Sequence, residues 1–521
     1  GKFQMLVEDT VREKEAALSF KRNHTTTEQR AKIFNAKMLR GDLRGAVRYL
    51  TERDQGGILF PQDTDEKTGD SVLETLKSKH PDAKTPKASD LQSYPHLPDF
   101  NDIDVTEDVV ESVARRLRGC AGPSGTDSIS LQHWLLRYGE TSRQLRIAVA
   151  DFVDWLSNEF PPWAAYRATM ACLLFGLDKC PGVRPVGAGE TWCRLFAKIV
   201  LRLSGAEAKE ACGIDQLCAG LEAGIEGGIH AINQLWKEHE GAEDWGFLLV
   251  DAKNAFNELC RIRMLWTIRH EWPSCARFAF NCYRHFAVLV IRSQDGRSTA
   301  FIFSQDGVTQ GDALAMAAYG LGLLPLIRQL KEEFPEVRQP WYADDAGAGG
   351  HFKDLRRFFK RLQEIGPSYG YYPEPSKSIL IVQEQNVEEA EIEFTDLLFK
   401  VTTGSRYLGG FIGDPSLRDE WIAEKTTFWA SAIGELAGTA KLYPQSAYTG
   451  LQRLLQQEWQ YVQRVVDDIG DSFAAVTVWR RYQQAGSLPQ AAQSPGETCW
   501  ACSPQAHHLG PRQLRRQYFG L

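Results

Sequence analysis

Three carboxylates carry the clearest chemistry in this chain. Asp251 closes the apolar run 245–250, which reads as a strand buried on both faces. Asp344 and Asp345 follow about ninety residues later, within Trp341-Tyr342-Ala343-Asp344-Asp345, between short apolar segments that read as a hairpin. Phosphoryl transfer assisted by divalent cations needs hard oxygen ligands held close together on rigid elements. If the two strands are neighbours, the three carboxylates converge. An Asp-Asp pair alone is common on protein surfaces. A strand-final Asp followed by this hairpin is much more specific.

The elements that must position these groups follow from periodicity. Helical spacing covers much of 1–57, with a start at Thr25-Thr26-Thr27-Glu28. The basic residues Arg30, Lys32, Lys37, Arg40, Arg44 and Arg48 there read as a solvated face rather than a nucleic-acid contact. Residues 61–99 are polar with five prolines, so they read as a linker with one short helix near 71–77. Helical patterns return at 104–118 and from 131 to about 170, separated by the glycine-rich stretch 119–125. From Val183 the pattern is mixed α/β. A helix is expected over 255–270, a β-hairpin around Gln294-Asp295-Gly296-Arg297, long helices over 312–334 and 353–365, and a strand at 378–382. After Asp414 the chain reads as helical to about 484, then as a polar tail.

Composition sets bounds. The 521 residues are 43% hydrophobic and 24% charged, ordinary for a globular protein of two to four domains. No run is long enough for a membrane helix, and Gly1-Lys2-Phe3-Gln4-Met5 lacks a secretory signal's apolar stretch, so an intracellular protein is expected. The chain starts at Gly1, not Met, and reads as beginning within a longer gene product. Eleven scattered cysteines read as reduced thiols. The net charge of −7 leans against a nucleic-acid enzyme, although a basic groove can exist on an acidic protein.

Several further segments, in order, resemble reverse transcriptases, especially those of non-LTR retrotransposons and related retroelements. Ala121-Gly122-Pro123-Ser124-Gly125-Thr126-Asp127 is similar to a segment that precedes the fingers, and Arg184-Pro185-Val186 to the fingers segment itself. Residues 247–256, with Asp251, Ala252 and Phe256, resemble the first catalytic-aspartate motif. Gly307-Val308-Thr309-Gln310-Gly311-Asp312 resembles the glutamine-glycine motif, and Tyr342-Ala343-Asp344-Asp345 the signature hairpin. Pro375-Ser376-Lys377-Ser378 resembles the lysine motif after the palm helix, and Tyr407-Leu408-Gly409-Gly410 the primer-grip hairpin.

The resemblance implies an α/β (α+β) right-hand polymerase: fingers, a palm with an antiparallel sheet, and a helical thumb, here with a helical N-terminal extension. The expected division is 1–60 extension, 61–99 linker, 100–415 fingers and palm, 416–485 thumb and 486–521 tail. It also implies RNA-directed DNA polymerase activity with two Mg2+ ions, for which Mn2+ can substitute. Asp251, Asp344 and Asp345 would be catalytic metal ligands. Lys179, Arg184, Ala252, Phe256, Gln310, Gly311 and Lys377 would meet the nucleotide, with Arg184 and Lys198 on the fingers side of the cleft. The expected partners are an RNA template, a DNA or RNA primer and dNTPs, with separate nucleases or element proteins supplying activities for which no segment is found here.

Plainer readings stand beside these. Lys179 and Lys377 read equally as surface charges, Phe256 as core, and Asp312 as a helix cap. Phe256, where RNA-dependent RNA polymerases resembling this palm place a second aspartate, favours DNA synthesis. A non-catalytic polymerase fold that binds nucleic acid or protein is the alternative outside enzymes. In the tail, Cys499 and Cys502 with His507 and His508 have poor spacing for zinc and read as unmetallated.

Overall fold

The computed structural model describes residues 26–51, 57–219, 223–294 and 299–466. The tail with Cys499, Cys502, His507 and His508 lies outside them, as does the Asp295–Arg297 turn. The described chain forms two compact units, one spanning 57–403 and the other joining 26–51 to 404–466.

The first unit is built on two five-stranded sheets. One runs β10-β9-β4-β8-β7 (β4 Trp245–Val250, β7 Trp341–Tyr342, β8 Asp345–His351, β9 Ile379–Val382, β10 Lys400–Thr402). β4 lies antiparallel between β8 and β9, and β10 joins β9 in parallel, so the palm sheet is antiparallel except at one edge. β4 is almost continuously apolar because both faces are covered; Phe247 and Leu248 are fully buried. β8 reads Asp-Ala-Gly-Ala-Gly-Gly-His for a steric reason. A Cβ at Gly347 would lie 2.7 Å from the Phe247 ring, so the small strand makes room for the large residues of its neighbour.

The other sheet links β1 (Ile58–Leu59), β2 (Cys172–Asp178), β5 (Ala287–Arg292) and β6 (Thr299–Ser304) in that order, with β3 (Val183–Gly189) on β2. Leu174, Val183, Leu289, Ile291 and Ile302 bury one face of it against Val72 and Leu76. These last two sit on the helix Val72–Ser78, which Ser71 caps through Glu74 N. The linker expected over 61–99 is therefore part of the fold. Lys84 Nζ reaches the Glu258 carbonyl (2.7 Å) and carboxylate (3.0 Å), Gln305 Nε2 donates to Asp82 (2.9 Å), and Trp266 Nε1 donates to Gln92 O (2.8 Å). Prolines and polar residues here serve a strap held by long-range bonds rather than by a core of its own.

The helix expected over 255–270 is interrupted at Leu259-Cys260, giving Ala255–Glu258 and Arg261–Glu271. Arg261 opens the second helix just after the break. Its buried guanidinium donates to the carbonyls of Ser304, Asp306 and Gly307, and its N–H to Asp306 Oδ1 (2.7 Å). It thereby ties the end of β6 to the residues before Gln310.

In the second unit, the helices Thr27–Leu39 and Leu43–Leu50 share a core with Pro415–Ala440 and the segments after it. Phe34, Val47 and Leu50 pack with Ile433, Leu436 and Leu455. Thr26 and Gln29 close a capping box on the first helix, and Asp42 caps the second. Arg30 donates to Leu50 O (2.9 Å) and Lys37 pairs with Asp42, so these two cations serve the fold. The N-terminal helices are not a module by themselves. The β11–β12 hairpin (Gly404–Tyr407, Gly410–Gly413) also falls in this unit, so the compact boundary comes before it rather than near 415.

Candidate active site

The palm sheet brings the two acidic motifs to one edge. β4 and β8 pair with Val250 opposite Ala346, so Asp251 and Asp345 leave the sheet at the same end. Asp344 precedes Asp345 in the turn from β7. Asp251 N donates to Ser378 Oγ (3.3 Å), Glu374 N donates to Asp251 O (2.8 Å), and Tyr371 Oη donates to Asp344 O (3.0 Å). Burial, then the charge of Asp251, raises the Asp344 pKa, against the pull of Arg184 and Lys179. Desolvation, then the charges of Asp344 and Asp251, pushes the Asp345 carboxyl up to about 6. The three groups are electrostatic neighbours.

Among the described residues, no cluster of three or more His, Cys, Asp or Glu side chains is gathered closely enough to hold a metal ion. Asp251 Oδ2 instead lies 3.7 Å from Lys377 Nζ, which also contacts Glu374. The donor chemistry nevertheless suits a hard divalent cation: all three groups are carboxylates, and their mutual repulsion is what such a cation relieves.

Opposing them is a cationic group. Lys179 and Arg184 are exposed on either side of the β2–β3 turn and act electrostatically on Asp344. Sequence reasoning missed two more lysines. Lys79 ends the helix Val72–Ser78, and its carbonyl accepts from Asn254 Nδ2 (2.8 Å), three residues after Asp251. Burial, then Lys179, lowers the Lys79 pKa, with Lys67 and Lys377 adding to the effect. Lys67 lies beside Gly182 at the β2–β3 turn. Both stand in the stretch read as a linker, where one short helix near 71–77 was expected. Lys198 is exposed on the helix Thr191–Cys212.

The Gln310-Gly311 loop is fixed against β3. Gly187 N donates to Gln310 O (2.7 Å), and a Cβ on Gly311, at φ +106°, would collide with Gly187 O. Asp312 turns away from the carboxylates. It accepts from Tyr283 Oη and from Leu314 N (3.1 Å), so it caps locally, and burial raises its pKa. A cavity of about 60 Å³ behind this loop, lined by Cys172, Arg194, Tyr283 and Asp312, is separate from the carboxylate edge.

Phe256 is half-buried and stacks on Tyr319, with centroids 4.4 Å apart. Ala252 bridges to Pro373. Tyr407 and Gly410 close the β11–β12 pairing around a tight turn at Leu408-Gly409, where Tyr461 Oη donates to Leu408 O (2.7 Å). This hairpin belongs to the second unit.

The sheet, the paired acidic strand ends and the order of the motifs make this chain similar to polymerases of the reverse-transcriptase type. A relative by sequence is a retroelement protein, the retrotransposable element SLACS 132 kDa protein of Trypanosoma brucei gambiense, 26% identical over 270 residues. The match takes in 51% of this chain but only 22% of that protein. No family model matches. Among solved structures, a Candida albicans telomerase with a telomeric RNA fragment overlaps 70% of this chain and 75% of its own, at TM-score 0.38 and 8% identity. Apo telomerase from Candida tropicalis overlaps 62% and 63%, at 0.36 and 10%. Among the described residues, no helix is long and apolar enough to cross a membrane.

Proposed function

We propose that this chain is the polymerase part of a retroelement reverse transcriptase, extending a DNA or RNA primer with dNTPs on an RNA template. The observation that carries this reading is the exit of Asp251, Asp344 and Asp345 at one end of adjacent strands, within electrostatic reach of Lys179 and Arg184. Anionic groups that gather metal beside cationic groups that gather phosphate are what nucleotidyl transfer requires. Asp251 and Asp344, with Asp345 in support, would hold two Mg2+ ions, whose chemistry there would be to lower the pKa of the primer 3′-hydroxyl and to offset charge on pyrophosphate.

The remaining roles belong to the chain itself. Arg184 forks onto the triphosphate and Lys179 adds charge at the hairpin tip. Gln310 and Gly311, pinned to the strand that carries Arg184, border the templating pair. Phe256, braced by Tyr319, closes the space a 2′-hydroxyl would need. Lys377 is placed on Asp251, where it can give a proton to pyrophosphate. The resemblance gives Tyr407, Leu408, Gly409 and Gly410 the role of a primer grip, and separate element proteins or nucleases would supply further steps. The test is Mg2+-dependent or Mn2+-dependent extension of a primer on RNA by the purified chain. Activity lost in Asp344→Asn supports the reading, and extension at the wild-type rate by that variant overturns it.

A further inference from the structure

Ala343, the residue before Asp344, has a backbone that needs explaining. It is 3% exposed and adopts φ +52°, a left-handed conformation that L side chains rarely take. The β7–β8 ladder pairs Trp341 with Ala346 and Tyr342 with Asp345, which leaves the N–H and C=O of Ala343 outside it. Buried peptide groups need partners. A single side chain supplies both. Gln216 Oε1 accepts from Ala343 N at 2.7 Å, and Gln216 Nε2 donates to Ala343 O at 3.2 Å.

Gln216 is fully buried and firmly held. Its own N donates to Cys212 O (3.2 Å), and the next residue, Leu217, donates to Trp341 O (2.9 Å). The loop is thus bonded to β7, the edge strand of the sheet. Asp215 accepts from Lys331 (2.9 Å) and Arg328 (3.4 Å) on the helix Ala315–Glu333. That helix also makes room: a Cβ on Gly320 would come within 3.0 Å of Gln216 Cγ.

We infer that Gln216 is a positioning residue for the catalytic turn, setting the two peptide planes that aim Asp344. The carboxamide is suited to this, because one planar group offers an acceptor and a donor to the two sides of one residue. With Tyr371 on the Asp344 carbonyl, the turn is fixed on both sides of the Asp344 Cα. Gln216 reaches no substrate; it acts only through Ala343.

This rests on the polymerase reading, so its test has an arm independent of catalysis. Gln216→Leu removes both bonds at similar volume, and Gln216→Glu keeps the acceptor. Hydrogen exchange of the peptide covering 341–346 should speed at least about tenfold in Gln216→Leu and less in Gln216→Glu, with exchange of the β4 peptide unchanged. In primer extension, kcat should fall about 10–100-fold in Gln216→Leu while KM for dNTP moves less than about threefold, as expected for a displaced catalytic group. Adding Ala343→Gly, which accepts the left-handed backbone without strain, should restore part of kcat to Gln216→Leu.

Unchanged exchange at 341–346, or no recovery with Ala343→Gly, would make Gln216 a packing residue and overturn the inference. If Gln216→Leu does not fold, Gln216→Glu with and without Ala343→Gly decides by the same readouts. If the wild-type chain extends no primer, the polymerase reading fails, and exchange alone then decides whether the clamp exists.

Discussion

The acidic and the basic sides of the site are built in opposite ways. The carboxylates leave strands at the centre of a buried sheet, and the turn that carries two of them is tied down by Gln216 and Tyr371. The cations ride on turns and connections: Lys179 and Arg184 flank a hairpin tip, and Lys67 and the half-buried Lys79 come from a strap. Metal ligands must be placed to a fraction of an ångström, whereas a long cationic side chain reaches phosphate from many backbone positions. Precision should therefore belong to the first group and redundancy to the second.

Substitution is the most forceful way to break that contrast. Asp251→Asn should lower extension by about 10³-fold or more, because it removes charge at a position nothing else can supply. Arg184→Ala should cost about 10–100-fold, mostly in KM for dNTP, since Lys179 and its neighbours still attract phosphate. Equal losses in steady-state kinetics would end the distinction between a precise side and a redundant one.

Phe256→Val tests whether precision extends to the sugar. The ratio of kcat/KM for dNTP over rNTP should collapse by about 10²-fold or more, with most dNTP extension kept. An unchanged ratio with lower stability would leave Phe256 as a partner of Tyr319 only. On the basic side, primer–template affinity should fall steeply as salt rises, as expected when several phosphates are neutralised, despite the net charge of −7. A flat salt dependence would remove the basic side as a nucleic-acid surface.

The smallest effect concerns pH. The Asp345 carboxyl is raised to about 6, so its proton is held more tightly in the folded chain than in the unfolded one. Its contribution to stability is therefore full at low pH and lost as pH rises through about 6. Without divalent cations, the thermal midpoint should drop by about 1–3 °C across that window, and Mg2+ should oppose the drop. A midpoint insensitive to Mg2+ at pH 7 would count against the carboxylates as a cation site.

The same contrast governs what was legible in the sequence. Asp251 stood out because β4 is apolar on both faces, and the Asp344-Asp345 turn because its motif is distinctive. The strand following that turn is nearly all glycine and alanine, since its neighbour's rings fill the space, so periodicity said little about it. The strap over 61–99 was readable at its short helix, Val72–Ser78, and elsewhere was not, for another reason. Its order comes from single long-range bonds such as Lys84 to Glu258, which leave no local pattern. Gln216 lies in a loop, and its importance depends on a backbone angle 127 residues away.

The second unit's shared core has a consequence in time. Phe34, Val47 and Leu50 are made early, yet the helix that covers them begins at Pro415. At roughly 5–20 residues per second, a ribosome takes roughly 20–70 s to supply that partner. During that interval the two N-terminal helices hold apolar faces that the fold has not yet covered, while the whole 57–403 unit is synthesised between them and their partner. Their capping residues Thr26 and Asp42 then gain a second importance, because caps and the packing of the two helices on each other must keep them formed while they wait.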